Sequence, residues 1–234
     1  MAIIEDGVFG VLENGRSRPE VRDELIRLRR MPGRLIVGID FAFGFPRWYA
    51  DANGWRCGRD IWRAAHSDGE SWLSSGAAPF WGRATKRPQH PGPALRRTEQ
   101  VVGGSPRSIF QIGGAGAVGT GSIRGMSVLH DLAGAGFAVW PFEPAGHATI
   151  IEIYPRLFTA RVVKSSARAC LRHLNAHYGT DELPDLFRGM AAATEDAFDA
   201  AVSVLEMARA RDMLNRLPDG DEIDRIEGRI WSPT

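Results

Sequence analysis

Leu35-Ile36-Val37-Gly38-Ile39-Asp40-Phe41-Ala42-Phe43-Gly44-Phe45-Pro46 is the stretch that decides the fold. Five apolar or glycine residues run without a polar break into one carboxylate, and a Gly/Pro-punctuated turn follows. This reads as a buried strand with an acid at its carboxyl end. In open α/β sheets ligands gather outside the carboxyl ends of strands, so Asp40 stands where metal or substrate chemistry takes place. The plainer alternative is a turn former or helix cap.

Upstream, Ala2 to Glu5 and Val8 to Glu13 are short apolar runs about Asp6-Gly7, the signature of a type I′ hairpin. From Arg18 to Arg30, Pro19 opens a helix, Val21, Leu25 and Leu28 recur at helical spacing, and Met31-Pro32-Gly33 closes it. Downstream, residues 47 to 107 are rich in Trp, Arg, Gly and Pro, with one helix-like piece near Asp60 to Leu73. Here Trp48, Trp55, Trp62, Trp72 and Trp81 interleave with Arg47, Arg56, Arg59, Arg63 and Arg83. That is the chemistry of base stacking with phosphate contact, or else an aromatic subcore beneath a long loop. Helices are expected at Ile123 to Leu132, Ala167 to Tyr178 and Glu195 to Leu217, and strands at Phe137 to Phe142 and Thr149 to Ile153.

Apolar residues make up 44% of the 234-residue chain and charged residues 24%, as in a soluble globular protein. No run approaches the ~20 apolar residues of a membrane span, and the short acidic start is unlike a signal peptide, so a cytoplasmic protein with no membrane contact is expected. Cys57 and Cys170 make neither a disulfide framework nor a zinc motif. The net charge of +1 hides an asymmetry: Arg47 to Arg124 carries eleven Lys/Arg against five Asp/Glu, whereas Asp181 to Thr234 carries six against thirteen. A basic middle suits a polyanion, although separated charges also arise where one half of a protein packs on the other.

Three motifs carry chemistry. Gly114, Gly116 and Gly119 satisfy the dinucleotide fingerprint, which makes an NAD(P)-binding oxidoreductase one alternative and a tight structural turn another. In Glu195-Asp196-Ala197-Phe198-Asp199, Asp196 and Asp199 share one helix face, where like charges repel unless a cation lies between them. Thr194 also reads as a cap that favours acids there. Glu152, flanked by isoleucines in a strand, must find a partner on the face opposite Ile151 and Ile153. Asp40, Glu152, Asp196 and Asp199 together offer oxygen ligands for two Mg²⁺ or Mn²⁺ ions ~4 Å apart. His173 and His177, four apart on a helix, lack a third metal ligand nearby in sequence.

Gly38-Ile39-Asp40 through Pro46, Phe110-Gln111-Ile112-Gly113-Gly114, Trp140-Pro141-Phe142, Glu152-Ile153-Tyr154-Pro155-Arg156, Glu195 to Ala200 and Glu227-Gly228-Arg229-Ile230-Trp231 together resemble the predicted ribonuclease H-like nucleases of domain-of-unknown-function family 429. The resemblance implies one α/β domain over residues 1–234, a mixed sheet flanked by helices, with residues 47–135 as a long irregular basic insertion. It implies Mg²⁺- or Mn²⁺-dependent hydrolysis of nucleic acid, with Asp40, Glu152, Asp196 and Asp199 as catalytic metal ligands. Arg156 and Lys164, which follow the Glu152 strand, are expected with Arg124 to contact phosphate, or else to be solvated charges. Such nucleases begin with a Gly-x-Asp strand whose Asp bridges both metals, and nothing before the Asp6-Gly7 hairpin supplies it. Asp40 is therefore expected to be the second acid, with the first strand upstream or the site shortened. A catalytically incomplete nucleic-acid or polyanion binder is the alternative of another class.

Overall fold

The computed structural model describes residues 1–82, 87–159 and 161–233. In chain order the elements are β1 (Ala2–Glu5), β2 (Val8–Leu12), α1 (Arg18–Arg29), β3 (Leu35–Ile39), α2 (Arg47–Ala52), α3 (Gly58–Ser75), α4 (Arg97–Val101), α5 (Gly119–Gly134), β4 (Ala138–Val139), β5 (Ala148–Glu152), α6 (Arg156–Thr159), α7 (Ala167–His177), α8 (Asp185–Ala191), α9 (Glu195–Arg209), α10 (Arg211–Leu214) and α11 (Asp224–Glu227). The architecture is mixed α/β, and the chain divides into two compact units.

The larger unit, Arg18–Glu152 with Pro218–Trp231, holds a parallel sheet in the order β3-β5-β4. Every residue of β5 is buried, as the continuous apolar run Ala148-Thr149-Ile150-Ile151 requires of a central parallel strand. Ile39 pairs across with Glu152, so both strands end at the same level. β4 is shorter than the expected Phe137 to Phe142 because Trp140 N–H makes the last bond, to the Ile150 carbonyl, and Pro141 has no N–H to continue the ladder.

Residues 47–135 carry α2 through α5, separated by irregular stretches, and they supply much of this unit's core. Phe45, the last residue before Pro46, lies with its ring 5.0–6.3 Å from those of Tyr49, Trp55, Trp72, Phe80 and Phe110. Trp62 is fully buried and its indole N–H donates to the Phe43 carbonyl; Trp81 is also buried, and Trp48, Trp55 and Trp72 pack against the same cluster. The tryptophans thus form the aromatic subcore. Arg83, expected among their interleaved arginines, lies outside the described residues.

The smaller unit comprises Met1–Ser17, Ile153–Leu217 and the end of the chain from Ser232. Its β1–β2 hairpin turns at Asp6 (φ 50°) and Gly7 (φ 84°), the left-handed pair that a type I′ turn demands. Phe9 and Leu12 pack with Phe198, Ala201, Val202 and Leu205 of α9, and with Cys170 and Leu174 of α7. Thr194 caps α9 by accepting from the Ala197 N–H, and Ser166 caps α7 in the same way through Ala169. The helix expected to run to Leu217 is interrupted at Ala210 (φ −92°, ψ 20°), after which α10 makes one further turn.

Candidate functional site

The carboxyl edge of the parallel sheet carries two of the four expected acids. Asp40 is exposed one residue past β3, and Glu152 ends β5 directly opposite Ile39. Glu152 is only 3% exposed, and both of its oxygens are engaged by Arg96, itself 1% exposed: Nη2 to Oε1 at 2.5 Å and Nη1 to Oε2 at 2.8 Å. The Phe43 backbone N–H adds a third bond, to Oε2, at 3.0 Å. The partner that an acid among isoleucines requires is therefore an arginine. Burial pushes the Glu152 carboxyl up, while Arg96 and the Phe43 N–H draw it back. Burial also opposes the charge on Arg96, but Glu152 and Glu99 outweigh it and hold the guanidinium above its ordinary value. The bidentate guanidinium favours the ionised form of the carboxyl against that burial.

Around this pair the loops are tied by acids. Glu99 accepts from Arg96 Nη2 at 2.8 Å and from the Arg96 backbone N–H at 2.9 Å, so it holds both the cation and the start of α4. Glu227 accepts the Arg47 N–H at 2.7 Å and the Arg97 N–H at 2.5 Å, the first residues of α2 and α4. Its carbonyl oxygen accepts from Arg96 Nη1, and Gly44 lies so close to that backbone that a Cβ there would overlap it at 2.6 Å. Arg96, Glu99 and Glu227 are residues that sequence reasoning missed. Arg96-Arg97-Thr98-Glu99 has the spacing of a capping box, but an arginine at its head hides the signal.

Asp196 and Asp199 belong to the smaller unit, on the first two turns of α9. Asp196 is exposed, whereas Asp199 is half-buried and ion-paired to Lys164, with Nζ 2.5 Å from Oδ1 and 2.7 Å from Oδ2. Burial raises the Asp199 carboxyl, Lys164 opposes this, and Asp196 and Glu195 add to the rise. The four acids thus fall two in each unit, and among the described residues no three His, Cys, Asp or Glu side chains gather to hold a metal ion. Glu152 and Asp199 already carry protein cations. As paired, Glu152 and Asp199 do not fit the role of divalent-metal ligands.

Of the expected phosphate contacts, Lys164 is committed to Asp199, and Arg124 makes a two-pronged pair with Glu70 at 2.7 and 2.9 Å. Arg156 is exposed on α6. The glycine loop is tied to itself: the Gln111 side-chain amide donates to the Gly113 and Ala115 carbonyls, and the Gly119 N–H donates to the Gln111 carbonyl. Residues 108–112 form no strand of the parallel sheet, and Gln111 makes a lone bridge to Trp81. A Cβ on Gly119 would run into the Ile109 carbonyl oxygen, so this glycine serves the close approach of α5 to that segment.

The smaller unit also contains a groove of about 760 Å³. Phe158 of α6 and Val162 give it apolar wall, and Arg161, Arg172, His173 and His177 supply its basic side. The two imidazoles lie 4.4 Å apart, and His173 Nε2 is buried with no hydrogen-bond partner among the described residues. Arg209, which also lines the groove, is occupied by Glu182, Glu206 and the His177 carbonyl. From Ile153 to Thr180 the chain carries five Lys/Arg and no acid. Arg156, Arg161, Arg168 and Arg172 are exposed and have no ion pair among the described residues. No protein-family model, curated protein or solved structure matches this chain.

Proposed function

We propose that this chain is a ribonuclease H-like protein that binds nucleic acid through its phosphates without hydrolysing it. The observation that carries the reading is the unopposed basic segment of α6 and α7, whose Arg156, Arg161, Arg168 and Arg172 reach solvent without acidic partners among the described residues. Guanidiniums in that state release counterions from a polyanion on binding. Non-hydrolysis is supported by the ion pairs of Glu152 with Arg96 and of Asp199 with Lys164, which give these carboxylates cations from the chain itself. The order of acids and aromatic motifs along the chain, similar to that of family 429, supports the fold assigned here.

The test is fluorescence anisotropy of a labelled oligonucleotide at rising salt, with Mn²⁺ present and the strand analysed afterwards. The expected result is an intact strand whose affinity falls steeply with salt, by a log–log slope of about 0.7 per phosphate contacted on a single strand. Replacing the four arginines by alanine flattens that slope. Binding that ignores salt overturns the reading. A Mn²⁺-dependent nuclease is the second reading, favoured by the placement of Asp40 and Glu152 at the ends of adjacent parallel strands. It predicts strand cleavage that Asp40→Asn abolishes.

A further inference from the structure

We infer that the groove of the smaller unit seats one unpaired nucleotide, so that the chain prefers single strands to duplex; this rests on the nucleic-acid reading above. Two chemistries meet in the groove. The apolar wall of Phe158 and Val162 suits the flat face of a base, and the imidazoles of His173 and His177, tilted 40° to each other, offer further π surface. Arg161 and Arg172, on the same groove, suit the phosphate attached to that base. His173 Nε2 is buried without a partner among the described residues, and the polar edge of a base supplies one. At about 760 Å³ the groove has the size of sites that enclose small organic ligands.

A duplex offers the arginines its phosphates, but its bases are stacked and their pairing edges occupied, so the wall and the imidazole have nothing to receive. The preference for single strands thus comes from the groove, and general affinity from the whole basic segment. Arg156 and Arg168 do not line the groove, which allows equal charge to be removed inside and outside it.

The experiment compares anisotropy titrations of a labelled twelve-nucleotide oligothymidylate with those of the oligothymidylate–oligoadenylate duplex of the same length. The proteins are the wild type, Arg161→Ala/Arg172→Ala and Arg156→Ala/Arg168→Ala, each checked for an unchanged melting temperature. The expected result is a preference for the single strand of about tenfold or more, lost in the groove pair and kept in the outer pair, which weakens both ligands alike. Equal binding of single strand and duplex by the wild type, or equal loss of preference in both pairs, overturns the nucleotide seat and leaves phosphate binding standing. No binding of either ligand overturns both.

Discussion

Arg96 is the residue on which the larger unit most depends. Removing one partner of a buried ion pair leaves the other charge uncompensated, at a cost of about 3–5 kcal/mol. Arg96→Met strands Glu152 and Glu99 together, so urea denaturation is expected to show a loss in that range; a loss under about 1 kcal/mol means that the pair does not hold the loops. His173 makes the second prediction at this scale. Burial lowers its pKa, its neighbour His177 adds to the fall, and Glu206 opposes it. The unfolded chain therefore binds the proton more readily, so the contribution of His173 to stability is complete above the ordinary histidine pKa of about 6.5 and is lost as pH falls below it. Melting temperature measured between pH 7.5 and 5.5 is expected to fall less steeply in His173→Gln than in the wild type. Identical slopes contradict this. The sequence shows that Glu152 needs a partner, because an acid in an isoleucine strand cannot stay unpaired. It does not show which, because Arg96 lies 56 residues away and joins only through folding.

At the scale of elements, β1, β2, β3, β5 and α7 follow the sequence closely because hairpin, apolar run and cap are local signals. The short α2 and α4 leave no such trace. Five or six residues do not form a stable helix alone, and these two start on N–H groups accepted by Glu227, which is 130 residues or more further on. Loss of a capping acceptor costs about 0.5–2 kcal/mol, so Glu227→Ala, which uncaps both helices, is expected to cost about 1–4 kcal/mol in chemical denaturation. A neutral result rules out its double capping role. The glycine loop teaches the same lesson in reverse: its spacing is that of a phosphate-binding turn, but the space for a side chain at Gly119 is filled by backbone. Gly119→Ala is expected to destabilise by about 1–3 kcal/mol through overpacking, with no NAD(P)-dependent shift in melting in the wild type. Such a shift, lost in the variant, restores the dinucleotide reading.

Across the whole molecule, charge redistributes in a way that linear counting conceals. Only the end of the acidic tail, Pro218–Trp231, joins the basic middle in the larger unit, where Arg97 meets Asp221 and Asp224 and the unit totals nineteen Lys/Arg against seventeen Asp/Glu. The smaller unit has ten against eleven, yet four of its arginines without an ion pair among the described residues fall close together, between Arg156 and Arg172. Of the two readings open for the tryptophans, a base-stacking face and an aromatic subcore, the packing shows the subcore. The four acids were legible one by one; the ion pairs of Glu152 and Asp199 were not, since Arg96 and Lys164 reach them only through tertiary contact. The chain's own cations thus answer two of the four carboxylates, Glu152 and Asp199, in the place of metal. Thermal melting with and without millimolar Mn²⁺ tests this most directly, because a metal at a hundred times its Kd stabilises by about 2.7 kcal/mol, or several degrees for a chain of this size. The expected midpoint shift is below about 1 °C. A rise of several degrees that Asp40→Asn or Asp196→Asn abolishes would contradict it.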